Sequence, residues 1–201
     1  MTHGLPDACR AAGGARMMQL HVLLFILIGI FAVIGFQRGF NKEVISLAGI
    51  VLALFTLHSF DGLLRLTLLA NTPPTTRFLV QAIVFCVIVF FGYQTRALIG
   101  RDVKQAQQTG PPEGRDELQT RILGLLMGIL NGYLVWGTLW YLMVINDYPL
   151  SPYIRAPVTG SDAASLVQWL PLYVLAGGPG GLDPLLSGMV IVAFLIVLIL
   201  I

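Results

Sequence analysis

The side chains best equipped for chemistry gather in one short connector, Gln37-Arg38-Gly39-Phe40-Asn41-Lys42-Glu43, which separates two apolar runs, Leu20 to Phe36 and Val44 to Phe60. Arg38 offers a planar guanidinium fork that matches a carboxylate or phosphate in a way lysine does not. Glu43, across the turn, is one such carboxylate; an acidic group of a partner is another. Gly39 is the residue able to take a left-handed turn at little cost. The expected local structure is an antiparallel helical hairpin in which Gly39 ends the first helix, Asn41 caps the second and Glu43 sits favourably in its first turn. A simpler role stands beside this one: Arg38 and Lys42 hold the loop against anionic lipid by charge alone. Arg38, Gly39, Phe40 and Glu43 are the candidate functional hairpin.

No other cluster carries chemistry. Cys9 and Cys86 are too few and too far apart for a disulfide framework or a metal motif, and Cys86, inside an apolar run, reads as a small packing residue. Asp116 and Glu117 lie beside Arg115 and Arg121 as a solvated charge group. Gly177-Gly178-Pro179-Gly180-Gly181 lacks the strand and lysine of a phosphate loop and reads as a flexible turn. No zinc-type His/Glu pair or serine elbow is present. The sequence therefore implies no catalytic residue, no cofactor, no metal and no small-molecule substrate. A net charge of +2 without a basic aromatic-interleaved patch gives no reason to expect nucleic acid.

The elements that would position the hairpin are membrane spans. Apolar residues make up 56% of the 201 and charged residues 11%, with a mean hydropathy of +0.82, too apolar for one soluble core. Four runs stand out: Leu20 to Phe36, Val44 to Phe60, Phe78 to Tyr93 with an amphipathic continuation to Ile99, and Ile122 to Ile145. A fifth, Leu185 to Ile201, either spans or is embedded part-way. The first two reach only about 25 Å, marginal against a core of about 30 Å, and the fourth is the longest uninterrupted candidate for a span. The polar Lys104 to Glu117 loop, with Gly110-Pro111-Pro112 at its centre, reads as flexible. Asn146 to Pro184 is proline-rich and should hold no long helix, apart from a short amphipathic turn starting at Ser161 with Leu166, Trp169 and Leu170 facing lipid.

The fold class is thus an all-α integral membrane protein: a four-span helical bundle with an extra C-terminal hydrophobic helix. Its parts are a polar tail (1–18), a membrane domain (19–158), an extramembrane amphipathic or flexible segment (159–184) and the C-terminal helix (185–201). The tail carries Met17 and Met18, which fit an alternative start as well as Met1 does. With the first connector cytoplasmic, seven Lys and Arg lie inside and five outside, a bias that places the N-terminus outside and strengthens if Arg10 and Arg16 fall away.

Inside the runs there is no Asp, Glu, Lys or Arg, and His21 and His58 mark span ends. Only Gln81 and Asn131 place amides at depth, where interhelical hydrogen bonding is the plain reading and a solute path the other. Gly124, Gly128 and Gly132 recur every fourth residue and align on one helix face, a surface for close packing, more naturally within the chain than between copies. Gly49 and Ala53 make a shorter face on the second run, and these two faces are expected to meet.

Two segments resemble the colicin V production protein (CvpA) family of bacterial inner-membrane proteins. Ile34-Gly35-Phe36-Gln37-Arg38-Gly39-Phe40-Asn41-Lys42-Glu43-Val44-Ile45-Ser46-Leu47 is similar to that family's span ending in an Arg-Gly-Phe turn. Arg121 to Gly132 is similar to its glycine-rich fourth span, and Leu150-Ser151-Pro152-Tyr153-Ile154 to the stretch that trails the last span. Asn131 stands where an arginine is usual, and Leu185 to Ile201 is an addition. The resemblance implies a protein of the bacterial inner membrane tied to colicin V production or export and to envelope maintenance; with the glycine faces, the leading reading is a non-enzymatic protein that supports toxin production and secretion or cell-envelope homeostasis through helix contacts with other membrane proteins or itself. The alternative is a small oligomeric channel or transporter component lined by Gln81, Asn131 and the Thr and Ser side chains.

Overall fold

The computed structural model describes residues 20–106, 114–151, 153–154, 156–158, 160–181 and 184–200, with side chains outside 95–106, 114–116, 197, 199 and 200. The polar tail, the centre of the Lys104 to Glu117 loop, Pro152 and Arg155 lie outside that set. Seven α-helices run in order: α1 Leu20–Arg38, α2 Phe40–Ser59, α3 Pro74–Ala106, α4 Gly114–Ile145, α5 Asp162–Leu166, α6 Pro171–Ala176 and α7 Pro184–Leu200. No strand occurs among the described residues. The protein is an all-α membrane protein, and within α1 to α4 four segments are long and apolar enough to cross a bilayer: Leu20–Arg38, Phe40–Ser59, Pro74–Gln94 and Glu117–Ile145. The physical reason is that lipid offers backbone amides no partner, so an apolar run must bond to itself as helix.

Burial separates the four. In α2 and α4, 44% of the span is buried, against 11% in α1 and 17% in α3. The centre of the bundle is therefore α2 against α4, with α1 laid on α4 and α3 on α2. The core, including Ile50, Leu54, Leu57, Phe85, Leu134, Trp140 and Leu142, fills the space between them. Cys86 is on the outer side of α3, exposed rather than packed, because the turn of the helix that faces α2 carries Phe85 instead.

Two connections are themselves structured. After α2 the chain does not enter an ordinary loop but makes a π-helical stretch, Gly62–Leu68, with Leu63, Leu66 and Leu68 exposed. After α4 the segment that carries α5 and α6 folds back against that helix. Pro171 sits against Gly137, the Tyr133 hydroxyl donates to the Trp169 carbonyl, and the Tyr141 and Tyr173 rings meet edge to face at 5.1 Å. These contacts fall on the C-terminal half of the Glu117–Ile145 span. Ser161 does cap α5, its hydroxyl accepting from the Ala164 amide, and Trp169 is exposed. Leu170, however, is buried and Leu166 packs on the core, since the face expected to meet lipid meets α4 and its neighbours instead.

The C-terminal run is helical. Seventeen residues reach about 25 Å, and α7 packs chiefly along α2 and also touches α6.

Candidate functional site

The hairpin turn is a single residue. Gly39 has φ 80°, its amide donates to the Gly35 carbonyl at 2.9 Å, and its carbonyl accepts from the Glu43 amide at 3.3 Å. Helical bonding thus runs almost unbroken through a reversal of direction that a Cβ would strain. Because α2 begins at Phe40, Gly39 occupies the N-cap position, and Asn41 is an exposed residue of the first turn, not the cap.

That early start turns Glu43 inward. Its side chain is 1% exposed, which corrects the expectation that no charged group lies inside the bundle. Two other helices hold the carboxylate. Arg38 at the end of α1 brings Nη1 to 3.1 Å from Oε1, and Asn131 in α4 donates from Nδ2 to Oε2 at 2.8 Å and to the Glu43 backbone carbonyl at 3.1 Å. The Arg38 guanidinium lies 4.7 Å from the centre of the Tyr93 ring on α3. A buried carboxylate is tolerable only when paired and hydrogen-bonded in this way. The Asn131 Oδ1 atom is buried without a hydrogen-bond partner. Phe40 is half-buried beside the turn.

The glycine stripe of α4 seats the hairpin. A Cβ on Gly124 would lie 2.8 Å from the Gly39 Cα, and one on Gly132 would lie 2.8 Å from the Phe31 Cβ and 3.1 Å from the Ile28 Cα. Gly128 meets the Phe31 and Gly35 backbone. The stripe is therefore covered by α1, not by the Gly49 and Ala53 face. Gly49 instead crosses Gly92 of α3, where a Cβ would lie 2.7 Å from the Gly92 Cα, and Ala53 is wholly buried in the core. Gly35 is the residue the sequence reading missed, although Gly35 and Gly39 have the same four-residue spacing as the α4 stripe.

A second polar bridge, also missed, joins the other end of α2 to α3 and α4. Gln81 donates from Nε2 to Asp61 Oδ1 at 3.1 Å and accepts from Asn146 Nδ2 at 2.8 Å. Arg65 in the π-helical stretch stands 3.7 Å from Asp61 Oδ2 and donates to the Ile145 carbonyl at 3.4 Å. Burial raises the Asp61 pKa, with Arg65, His58 and the Gln81 hydrogen bond pulling partly the other way. Asp61, Arg65 and Asn146 follow directly on apolar runs, where polar residues ordinarily just mark span ends. Near the opposite end of the bundle, Glu117 and Arg121 form an exposed pair at 2.6 Å, as expected of a solvated group.

Both amides at depth are thus used in interhelical bonds. Among the described residues no group of three or more His, Cys, Asp or Glu is placed to hold a metal. When the chain is compared with known proteins, the profile of a family described as Colicin V production protein matches residues 20–169. No curated protein and no solved structure matches.

Proposed function

The chain belongs to the colicin V production protein family, and from that premise we propose a non-enzymatic scaffold of the bacterial inner membrane that supports toxin production and secretion or envelope homeostasis. The family is not a known enzyme family. In this reading the α1–α2 hairpin is the working part, and α4 is the rigid post that presents it. The observation that carries it is the closed Arg38–Glu43–Asn131 clamp. Three helices commit a polar group each to fixing one short turn at the end of the bundle, Glu43 and Asn131 buried and Arg38 partly exposed at the edge. A buried ion pair is weak evidence for stability but a good device for holding one geometry.

The channel reading has less support. Gln81 and Asn131 are both fully buried and bonded within the chain, so lining a pore with them would break the bridges that join the helices. The test is complementation of a deletion strain, scored by secretion of a colicin V-type peptide and by envelope stress, with Arg38→Lys, Arg38→Gln and Gly39→Ala at normal membrane levels. Failure of Lys as well as Gln is expected, because lysine reproduces the charge but neither the fork nor the stacking on Tyr93. Full rescue by Arg38→Gln overturns the proposal, and rescue by Lys alone reduces Arg38 to a lipid-facing charge.

A further inference from the structure

We infer that the α5–α6 segment thins one leaflet of the bilayer beside α4, admitting water and phospholipid headgroups to about the midplane along the polar face of α5. The leaflet is the one at the Asn146 end, the outer leaflet in the orientation that the loop charges favour. The depth of the segment follows from its contacts. Ile28, at the centre of the first apolar run, meets Gly132 of α4, where a Cβ would lie 3.1 Å from the Ile28 Cα. That contact marks the level of the midplane. The Tyr133 hydroxyl donates to the Trp169 carbonyl, so the tip of the segment lies within one tyrosine side chain of that level. From Tyr133 to Ile145 the helix runs about 18 Å, more than the roughly 15 Å of half a hydrocarbon core. α6 then climbs back, with Pro171 against Gly137 and Tyr173 against Tyr141. The segment is a hairpin that enters the membrane and leaves on the same side.

The outward face of this hairpin is polar. Asp162, Ser165 and Gln168 recur every third residue down α5 and the 3₁₀ turn Val167–Trp169, and all three are exposed, whereas Leu166, Val167, Leu170 and Leu172 turn to the protein. The Ser165 hydroxyl donates to the Asp162 carbonyl. The Asp162 carboxylate and the Gln168 amide have no partner among the described residues. In hydrocarbon an amide without a partner is heavily disfavoured, and Gln168 stands at the tip, where headgroups are out of a side chain's reach in a bilayer of ordinary thickness. Water and headgroups therefore solvate this face, and the leaflet thins to meet it, as it does around a span that is too short. Inward of Tyr133, on the same face of α4, Leu126, Ile129 and Leu130 are exposed and apolar. Tyr133 and the exposed Trp169 sit where polar surface gives way to apolar, the place aromatic residues take at a membrane boundary.

The thinned leaflet stands apart from the scaffold reading, and its test has no secretion readout, so either can fail alone. The full chain with Trp136→Phe and Trp140→Phe, which keeps Trp169 as the sole tryptophan, is reconstituted in phosphatidylethanolamine and phosphatidylglycerol vesicles. Its fluorescence is quenched with acrylamide on both faces of the vesicle and, separately, with phospholipid brominated near the ends of its acyl chains. Both should quench Trp169, since the tip touches water on one side and chain ends on the other. A protein that keeps only Trp136, at a similar depth but packed against Phe31, should be about threefold less sensitive to acrylamide. Ser165→Leu with Gln168→Leu should bring the acrylamide sensitivity of Trp169 down to that value while bromine quenching persists. Should the loss of the core residue Trp140 unfold the chain, Gln168→Cys and Ile26→Cys in a Cys9→Ser, Cys86→Ser background supply the readout. A charged methanethiosulfonate should modify position 168 about tenfold faster than position 26, which is exposed on α1 near the same depth. Bromine quenching alone puts the tip in dry lipid, and acrylamide quenching alone puts it outside the bilayer; either overturns the proposal, as do equal cysteine rates or an unchanged response to the two leucines.

Discussion

Replacing Gly128 by alanine sets two effects of opposite sign against each other. In a helix interior alanine is favoured over glycine by about 1 kcal/mol, so a glycine with room around it should gain from the change. At the α1–α4 crossing the new methyl group would lie 3.1 Å from the Gly35 Cα and closer still to the Phe31 carbonyl oxygen. Those are backbone atoms, which cannot rotate aside as a side chain can. Either α1 moves out along its whole contact with α4, or the methyl group is held under strain, and overpacking of this kind costs about 1–3 kcal/mol before lost contacts are counted. The expected net change is a destabilisation of about 1–2 kcal/mol, a five- to thirtyfold fall in the folded-to-unfolded ratio. Gly29→Ala supplies the internal control, because nothing lies within 4 Å of a Cβ there; it should follow helix propensity and be neutral or stabilising. Leu126→Ala, on an exposed face of α4, should stay within about 0.5 kcal/mol. Reversible unfolding in mixed micelles, followed by the fluorescence of Trp136 and Trp140, gives all three values. A Gly128→Ala protein as stable as the parent would refute the reasoning.

Asn131→Ala should destabilise by about 1–3 kcal/mol, since it strips a hydrogen bond from a buried carboxylate and from the Glu43 carbonyl; the same micelle unfolding measures it, and a neutral result removes the clamp. Glu43→Gln should cost less than Glu43→Ala, because its amide oxygen still accepts from Asn131 while Arg38, partly exposed, is screened by solvent. Asp61 gives a pH dependence. Its folded pKa is raised, so its contribution to stability is present in full below the ordinary carboxylate value, near pH 4, and is lost as pH rises through the raised value. Asp61→Asn should flatten that slope in melting curves taken between about pH 4 and 7, and an unchanged slope would show that Asp61 does not carry it. Single cysteines near Arg38 and Lys104 should be shielded from impermeant thiol reagents added outside intact cells, while one near Arg155 reacts; the opposite pattern inverts the orientation.

How much of this was legible beforehand depends on the range of the force involved. The four spans, the helical C-terminal run and a glycine at the end of the first helix follow from local requirements: apolar length against bilayer thickness, backbone amides with no partner in lipid, and a φ that only glycine takes easily; that the turn shrinks to Gly39 alone, with Asn41 inside α2, does not. Gln81 and Asn131 were readable as interhelical bridges for the same reason, an amide at depth having to find a partner. What residue types and spacing left open was which partner. A small-residue stripe fits any other close-packing face, so nothing local in Gly124, Gly128 and Gly132 chooses Gly35 and Phe31 of α1 over Gly49 and Ala53 of α2. Glu43 was readable as a carboxylate for Arg38 and as an acid placed for a helix dipole, but not as a buried group bonded to Asn131, and Leu170 looked like a residue facing lipid, because one-dimensional periodicity marks faces without saying what covers them. The tertiary arrangement decided those points. Once α2 starts at Phe40 and packs between α3 and α4, the Glu43 side of the helix has no lipid or water to face, and its charge is stable there only with Arg38 and Asn131 around it.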